Sequence, residues 1–300
     1  MQVGVNHPRA KDERLERVRL ERVRDVTGIR AVRYNTHYAN PHNDANTETV
    51  MEAGCHPLPI LGVDRQAVVD ADRSGSEQQF ARAMSPYLDF VHRFVPRHRF
   101  AAVETLNEPW VLAGAPKIPP LTYAKIANAT GDHVRQTSPD TDVWVAGEML
   151  TPDRKGPRKL DWWAEMTRGL MRDLYRGVAI HPYREPAAPE VARIGGRSIA
   201  SLKITSGSRA AEMEWCREQA GDQKIVHVTE VGWRVGESVS EQRQAEYLVR
   251  ELDLLLRLGV VFAYIYADWG DPALDFGLLR SDGSPRPAAH AVRRWIEAHR

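Results

Sequence analysis

The sequence predicts an α/β protein built as a single (β/α)8 TIM barrel over residues 1–300. Eight short apolar runs alternate with longer amphipathic segments. The spacing is one run per roughly 37 residues, a normal βα repeat for a barrel. No low-complexity linker divides the chain. A doubly wound open sheet is the alternative, but the first run is not followed by a Gly-x-Gly-x-x-Gly turn.

The strands are predicted from short continuous apolar runs, because a parallel strand in a barrel is covered on both faces. Several of the runs are bounded by Gly or Pro. In chain order they are Val3–Asn6, Arg30–Tyr34, Leu58–Val63, Phe100–Leu106, Val143–Gly147, Val178–His181, Ile225–Thr229 and Val261–Ala267.

The helices are predicted from apolar residues that recur every three or four positions and so form one stripe. The predicted helices are Arg9–Val26, Ser76–Val95, Tyr123–Gln136, Leu160–Tyr175, Ala210–Ala220, Ser240–Leu258 and Pro287–His299. Three Pro-rich segments follow strands and are interpreted as βα loops: Pro116–Pro120, Thr151–Pro157 and Arg184–Pro189.

Composition excludes several classes of protein. A net charge of +1 gives no overall field that would attract nucleic acid or an anionic membrane. No apolar run approaches the roughly 20 residues of a membrane span. No signal peptide is visible, which leaves a cytoplasmic enzyme and a trimmed secreted enzyme both open. Cys55 and Cys216 match no Cys-x-x-Cys spacing, so two free, buried thiols are expected.

The fourth and the seventh strand each lead into a glutamate. The fourth run leads into Leu-Asn-Glu-Pro-Trp, which contains Glu108, and the seventh leads into Val-Thr-Glu-Val-Gly-Trp, which contains Glu230. In a barrel, both would reach the C-terminal mouth, where catalytic groups collect. Such a glutamate can also simply cap the next helix. A pair, however, is what glycosidic hydrolysis requires: one carboxyl protonates the leaving oxygen and the other attacks the sugar or activates water.

The segment 107–109, Asn-Glu-Pro, resembles the acid/base signature of clan A glycoside hydrolases, which are retaining enzymes on (β/α)8 barrels. The segment around Glu230 resembles the nucleophile segment of the same clan. The closing segment 275–287 resembles a common ending in families 39 and 5. The resemblance implies that Glu108 is the acid/base, that Glu230 is the nucleophile, and that the bond cleaved is β-configured.

The same resemblance implies roles for further residues. Arg33 would lie beneath the nucleophile. His181 and Tyr183 would line the site, and Trp269 would form the floor of the sugar subsite. Asn107 would hydrogen-bond the sugar 2-hydroxyl, a contact that strengthens in the transition state.

Other residues carry weaker signals. Trp110 and Trp233 directly follow the two glutamate segments and are predicted to form subsite walls. Glu148 ends the fifth strand and is either a sugar contact or a helix cap. Glu104, inside the fourth strand, is expected to pair with a buried base instead of taking part in the chemistry. The third strand departs from the family pattern because it offers only Asp64 where a histidine is usual.

The sequence therefore predicts a retaining glycosidase acting on an oligo- or polysaccharide, monomeric, without a cofactor, nucleic acid or membrane partner. Two alternatives stay open. One is a carbohydrate-binding barrel without turnover. The other is a metal-dependent barrel hydrolase, because strand-end histidines can hold zinc; no His-x-His ends the first strand, however, and a catalytic metal is not expected.

Overall fold

The computed structural model describes residues 1–7, 17–110, 114–148, 159–183, 186–190, 209–221, 224–270 and 275–300. Eight parallel strands close into a barrel in sequence order, with β8 hydrogen-bonded to β1. The strands are β1 (Gln2–Asn6), β2 (Ala31–His37), β3 (His56–Gly62), β4 (Ala102–Thr105), β5 (Asp142–Glu148), β6 (Gly177–Ile180), β7 (Ile225–Val231) and β8 (Phe262–Ile265). All eight predicted strands are present, and the (β/α)8 fold class is confirmed.

Helices surround the barrel in the part of the chain that the structure describes. They are α1 (Arg17–Thr27), α2 (Asn43–Glu52), α3 (Arg65–Arg73), α4 (Glu77–His98), α5 (Pro120–Thr137), α6 (Lys159–Gly169), α7 (Arg209–Ala220), α8 (Glu241–Arg257) and α9 (Pro287–Ala298), with a short 3-10 turn at Arg172–Leu174. The predicted start of the first helix and the loop 151–157 lie outside the described residues.

Helices α2 and α3 were not predicted from the sequence. Both are short, and α2 buries mainly polar side chains such as Asn43, Asn46 and Thr47 instead of an apolar stripe. Periodicity of apolar residues therefore gave no signal for this helix. In α3 the buried residues are Val68, Val69 and Ala71, which span barely one turn.

Large side chains fill the N-terminal end of the barrel interior. The indole of Trp144 on β5 stacks on the imidazole of His227 on β7, with ring centroids 3.8 Å apart, and Phe262 lies across both rings. Neither ring nitrogen of His227 has a hydrogen-bond partner among the described residues. Burial in this apolar site lowers the pKa of His227 from 6.5 to about 3.

Both cysteines are free and buried, as expected from their spacing. Burial raises the pKa of the Cys55 thiol to about 11, and it raises that of Cys216 as well, so both are unreactive thiols at neutral pH. Among the helices that the structure describes, none is long and apolar enough to span a bilayer.

Candidate active site

Glu108 stands just beyond the end of β4, where the chain turns sharply out of the barrel. Leu106 and Glu108 have φ angles of 62° and 43°, in the left-handed region that non-glycine residues rarely adopt. Each such residue costs of order 1 kcal/mol or more. The backbone N–H of Glu108 donates to the carbonyl of Gly147 at the end of β5, 2.8 Å away, which ties this turn to the neighbouring strand. The turn directs the Glu108 side chain towards His181.

Glu230 lies within β7 and is only 7% exposed. Arg33 Nη1 donates to its Oε1 at 2.7 Å, and the Tyr183 hydroxyl donates to its Oε2 at 2.8 Å. Burial and the adjacent Glu230 carboxylate raise the pKa of Tyr183 well above its ordinary value, so its hydroxyl keeps the proton that it donates. One oxygen of Glu230 thus accepts from a charged donor and the other from a neutral donor, and both hydrogen bonds suit a carboxylate.

Arg33 on β2 is 1% exposed, and all five of its N–H groups have acceptors. Its Nε and Nη2 bind both carboxylate oxygens of Glu104 at 2.8 and 2.7 Å. Its remaining donors reach the side-chain oxygens of Asn6, Glu230 and Asn107, each at 2.7 Å. Burial alone would lower the pKa of Arg33, but the Glu104 and Glu230 carboxylates raise it above its ordinary value. Glu104 thus pairs with a buried base, as predicted.

His181 at the end of β6 lies between the two glutamates. Its Nδ1 is 3.0 Å from Glu108 Oε1 and 3.5 Å from Glu230 Oε2. Its Nε2 is 3.2 Å from Thr229 Oγ1 and 3.4 Å from Arg33 Nη2. Because Nδ1 faces carboxylate oxygens of Glu108 and Glu230, which accept, a neutral His181 carries its proton at Nδ1 and donates it to Glu108. Burial alone would lower the pKa of His181, but the Glu230 charge and the Glu108 hydrogen bond raise it above its ordinary value.

The two carboxylates are close neighbours across the mouth. One ligand atom each from Glu108, His181 and Glu230 lie within 4.8 Å of one another. That proximity resembles the roughly 5–5.5 Å between carboxyl groups in retaining enzymes, and it is shorter than the roughly 6.5–9.5 Å that leaves room for water in inverting ones. The same three residues have a spacing that suits a metal ion. The Arg33 guanidinium 2.7 Å from Glu230 already places a positive charge beside that carboxylate, which disfavours a second cation there.

The aromatic lining differs from the prediction in two places. The prediction for Trp233 is wrong: it is fully buried, its indole N–H donates to the carbonyl of Ala187, and its ring packs on Tyr247. Trp269 does not lie at the site floor either. Its ring stacks under the Arg19 guanidinium of α1 at 4.9 Å.

Tyr266, which directly follows β8, is an aromatic residue that borders the site. Its ring lies edge-on to Tyr183 at 6.5 Å, and Phe276 packs against both rings at 6.0 and 5.4 Å. The sequence carried a signal for this residue. In the predicted run Val261–Ala267, Tyr264 and Tyr266 are two positions apart and would share a face. In the structure Tyr266 directly follows β8, and Trp269 lies further along the chain.

Four other residues named from the sequence are placed as follows. Asn107 touches Arg33 and borders the groove beside β2 and β3. Trp110 is half-buried, with the Lys117 ammonium 5.0 Å from its ring, and its role as a subsite wall stays a prediction. The backbone of Glu148 ends β5, but its side chain lies outside the described residues. Asp64 caps α3, accepting from the N–H of Ala67 at 3.0 Å.

No protein-family model matches the sequence, and no curated protein matches it significantly. The fold is similar to many solved structures. A family 39 glycoside hydrolase from the gut symbiont Bacteroides cellulosilyticus WH2 has a TM-score of 0.73 at 22% identity, over 98% of this chain and 63% of that one. A GH39 β-xylosidase from Caulobacter crescentus has a TM-score of 0.66 at 15% identity, over 99% and 71%. A GH5-4 broad-specificity endoglucanase from Clostridium acetobutylicum has a TM-score of 0.61 at 12% identity, over 98% and 97%.

These identities establish a shared fold and no more. This chain spans less than two thirds of the length of the Bacteroides protein. The sequence motifs resemble those of clan A. This resemblance is confirmed at the level of the barrel fold, because the solved structures that are similar to this chain include members of families 39 and 5 of that clan.

Proposed function

We propose that this protein is a retaining glycoside hydrolase that cleaves a β-glycosidic bond in an oligo- or polysaccharide. The observation that carries the proposal is the pair of carboxylates, Glu108 and Glu230, within 4.8 Å at the barrel mouth and held by different donors. Glycosidic hydrolysis with retention needs this closely spaced pair.

In the first step, a carboxylate oxygen of Glu230 forms a bond to the anomeric carbon as the bond from that carbon to the leaving oxygen breaks. Glu108 gives its proton to the departing oxygen, which leaves as an alcohol. Glu108 must therefore enter this step protonated and Glu230 ionised. The Arg33 and Tyr183 donors on Glu230 support its ionised state.

In the second step, the now ionised Glu108 removes a proton from water. The oxygen of that water bonds to the anomeric carbon, the ester bond to Glu230 breaks, and the sugar leaves with its original configuration. His181 holds one oxygen of Glu108, which leaves the other oxygen to carry the transferred proton. No cofactor is required for either step.

Arg33 and Asn107 set the geometry around these two groups. The Asn107 side-chain oxygen accepts from Arg33, so its amide N–H2 is available to a sugar hydroxyl. We assign this group to the 2-hydroxyl of the sugar that Glu230 attacks. The similar structures support the class of reaction but carry different names, a β-xylosidase and an endoglucanase among them, so the sugar and the mode of attack are left to a substrate panel.

A panel of aryl β-glycosides and β-linked polysaccharides tests the proposal, with proton NMR of the first-formed product. We expect the β-anomer to appear first. Glu230→Ala should lose activity by several orders of magnitude on every substrate, and added azide should then yield an α-glycosyl azide. Glu108→Ala should lose roughly 10²–10⁴-fold on glycosides with poor leaving groups, and little in the first step on a dinitrophenyl glycoside.

Glu77→Ala is the matched control, since this glutamate is on α4 with its side chain 84% exposed. It should keep wild-type kinetics. Turnover with inversion would refute the retaining mechanism. Saccharide binding without any turnover by the wild type would indicate the non-catalytic barrel, and activity abolished by a chelator and restored by zinc would indicate the metal-dependent hydrolase.

A further inference from the structure

Arg65 links the loop after β3 to the turn that carries Glu108. Its Nη1 donates to the backbone carbonyl of Glu108 at 3.1 Å, and its Nη2 donates to the backbone carbonyl of Asn107. One planar guanidinium therefore spans two successive carbonyls of the Asn-Glu-Pro segment. Because a charged donor strengthens a hydrogen bond, this is a stronger restraint than two neutral contacts would supply.

The backbone of Arg65 is held in place by the start of α3. It is the first residue of α3, directly after Asp64, whose carboxylate caps the helix by accepting from the N–H of Ala67 at 3.0 Å. Val68 and Val69 bury the same helix against the barrel. The Arg65 side chain lines the groove beside β2 and β3, and it is half-buried. The donor thus comes from a fixed helix start.

The segment that Arg65 holds is the one with unfavourable backbone angles. Leu106 and Glu108 both have positive φ, and such conformations persist only where neighbouring structure imposes them. On one side, the N–H of Glu108 is bonded to Gly147 of β5. Arg65 supplies the restraint from the β3 side, on the carbonyls. Together these contacts restrain the backbone N–H of Glu108 and the backbone carbonyls of Asn107 and Glu108.

We propose that Arg65 is a positioning residue that holds the turn of Asn107 and Glu108 in the geometry needed for proton transfer, a role that rests on the proposed function. Arg65 does not position Glu230, because Arg33 on β2 and Tyr183 beyond β6 hold that carboxylate. Loss of Arg65 should therefore impair proton transfer by Glu108 much more than nucleophilic attack by Glu230, to which Asn107 contributes only through the sugar 2-hydroxyl.

This separation makes the proposal measurable through the leaving group. A small misplacement of a catalytic group can cost roughly 10²-fold in rate. For Arg65→Met, which keeps the apolar stem and removes the donors, we expect kcat/KM to fall roughly 10–100-fold on a glycoside with a poor leaving group. On the matching dinitrophenyl glycoside, which needs no protonation, the fall should stay below about threefold.

Two further variants complete the experiment. Arg65→Lys keeps one charged donor, which reaches one carbonyl, so its loss on the poor leaving group should lie between those of wild type and Arg65→Met. Arg73→Met makes the same change at the other end of α3, where the side chain is 69% exposed, and it should behave as wild type on both substrates. Thermal unfolding of all variants accompanies the kinetics, and if Arg65→Met does not fold, Arg65→Lys carries the test.

A loss that is equal for both substrates would assign Arg65 to general stability and overturn the proposal, as would wild-type kinetics for Arg65→Met. A steeper dependence on the leaving group, partly rescued by Lys, supports it. If the wild type hydrolyses no β-glycoside, the proposed function fails first. If the wild type is active and the leaving-group dependence is unchanged, only the role of Arg65 is refuted.

Discussion

Protonation of the buried His227 should make the protein lose stability in acid. The imidazole stacks on Trp144 and lies edge-on to Phe262, and neither nitrogen has a hydrogen-bond partner among the described residues. Its pKa is about 3 in the folded state, compared with about 6.5 in an unfolded chain. A depressed histidine pKa means that the unfolded state binds the proton more readily, so acid favours unfolding.

The magnitude follows from the two pKa values. The contribution of His227 is fully present above pH 7, and it is lost at about 1.4 kcal/mol per pH unit between about pH 6.5 and pH 3. Between pH 7.5 and pH 4.5 the free energy of unfolding should therefore fall by about 3 kcal/mol from this one residue. That is a large fraction of the roughly 5–15 kcal/mol that stabilises a typical protein.

Urea unfolding at pH 7.5, 6.5, 5.5 and 4.5 measures this contribution. His227→Phe removes the titrating group and keeps a ring for the stack, so its free energy of unfolding should depend less on pH than that of the wild type. The difference between the two proteins should shift by about 3 kcal/mol in favour of the variant over this range. His92→Phe, on the exposed face of α4, should leave the slope unchanged. Parallel pH dependence for wild type and His227→Phe would refute the reasoning.

Three further changes test the site. Tyr183→Phe removes a hydrogen bond to the Glu230 carboxylate, worth roughly 1.5–3 kcal/mol, so kcat/KM should fall roughly 10–100-fold. Trp269→Ala should keep kcat and KM within about threefold of wild type, because the ring contacts Arg19 on α1. A severe loss of saccharide binding would show that this residue belongs to the sugar subsite. Gly147→Ala places a Cβ 2.1 Å from Glu104 Oε1, so it should lower both the thermal midpoint and kcat by displacing that carboxylate. An unchanged thermal midpoint and an unchanged kcat would show that the side chains around Gly147 can move to make room for the added methyl group.

The strands were predictable because a covered parallel strand must be apolar over its whole length, as in the run Leu58–Val63. The role of Glu104 was predictable for a related reason, since a charge inside a core strand needs an opposite charge beside it. By contrast, α2 packs polar side chains inward and leaves no apolar stripe to detect.

The aromatic residues show where sequence reasoning was weakest. Trp233 was selected because it follows the Glu230 segment, and Trp269 because the family resemblance implies a tryptophan at the subsite floor. Neither argument says which way a ring turns. The alternation of Tyr264 and Tyr266 did contain that information. Arg65 could not have been identified, because an arginine at the start of a helix is an ordinary surface residue until its distance to the Asn107 and Glu108 carbonyls is known.

The five-donor arrangement of Arg33 has a consequence for engineering. The carboxylates and amide that it binds at Asn6, Glu104 and Glu230 all belong to strands β1, β4 and β7. The loops that lead away from the mouth are where barrels vary their binding surfaces. The nucleophile Glu230 and most of its network are therefore carried by strands, whereas Glu108 and Asn107 lie in the turn after β4. Loops grafted from other barrels at positions other than this turn should change which saccharide is accepted while the strand-borne network retains its geometry, which makes this barrel a practical scaffold for retargeting.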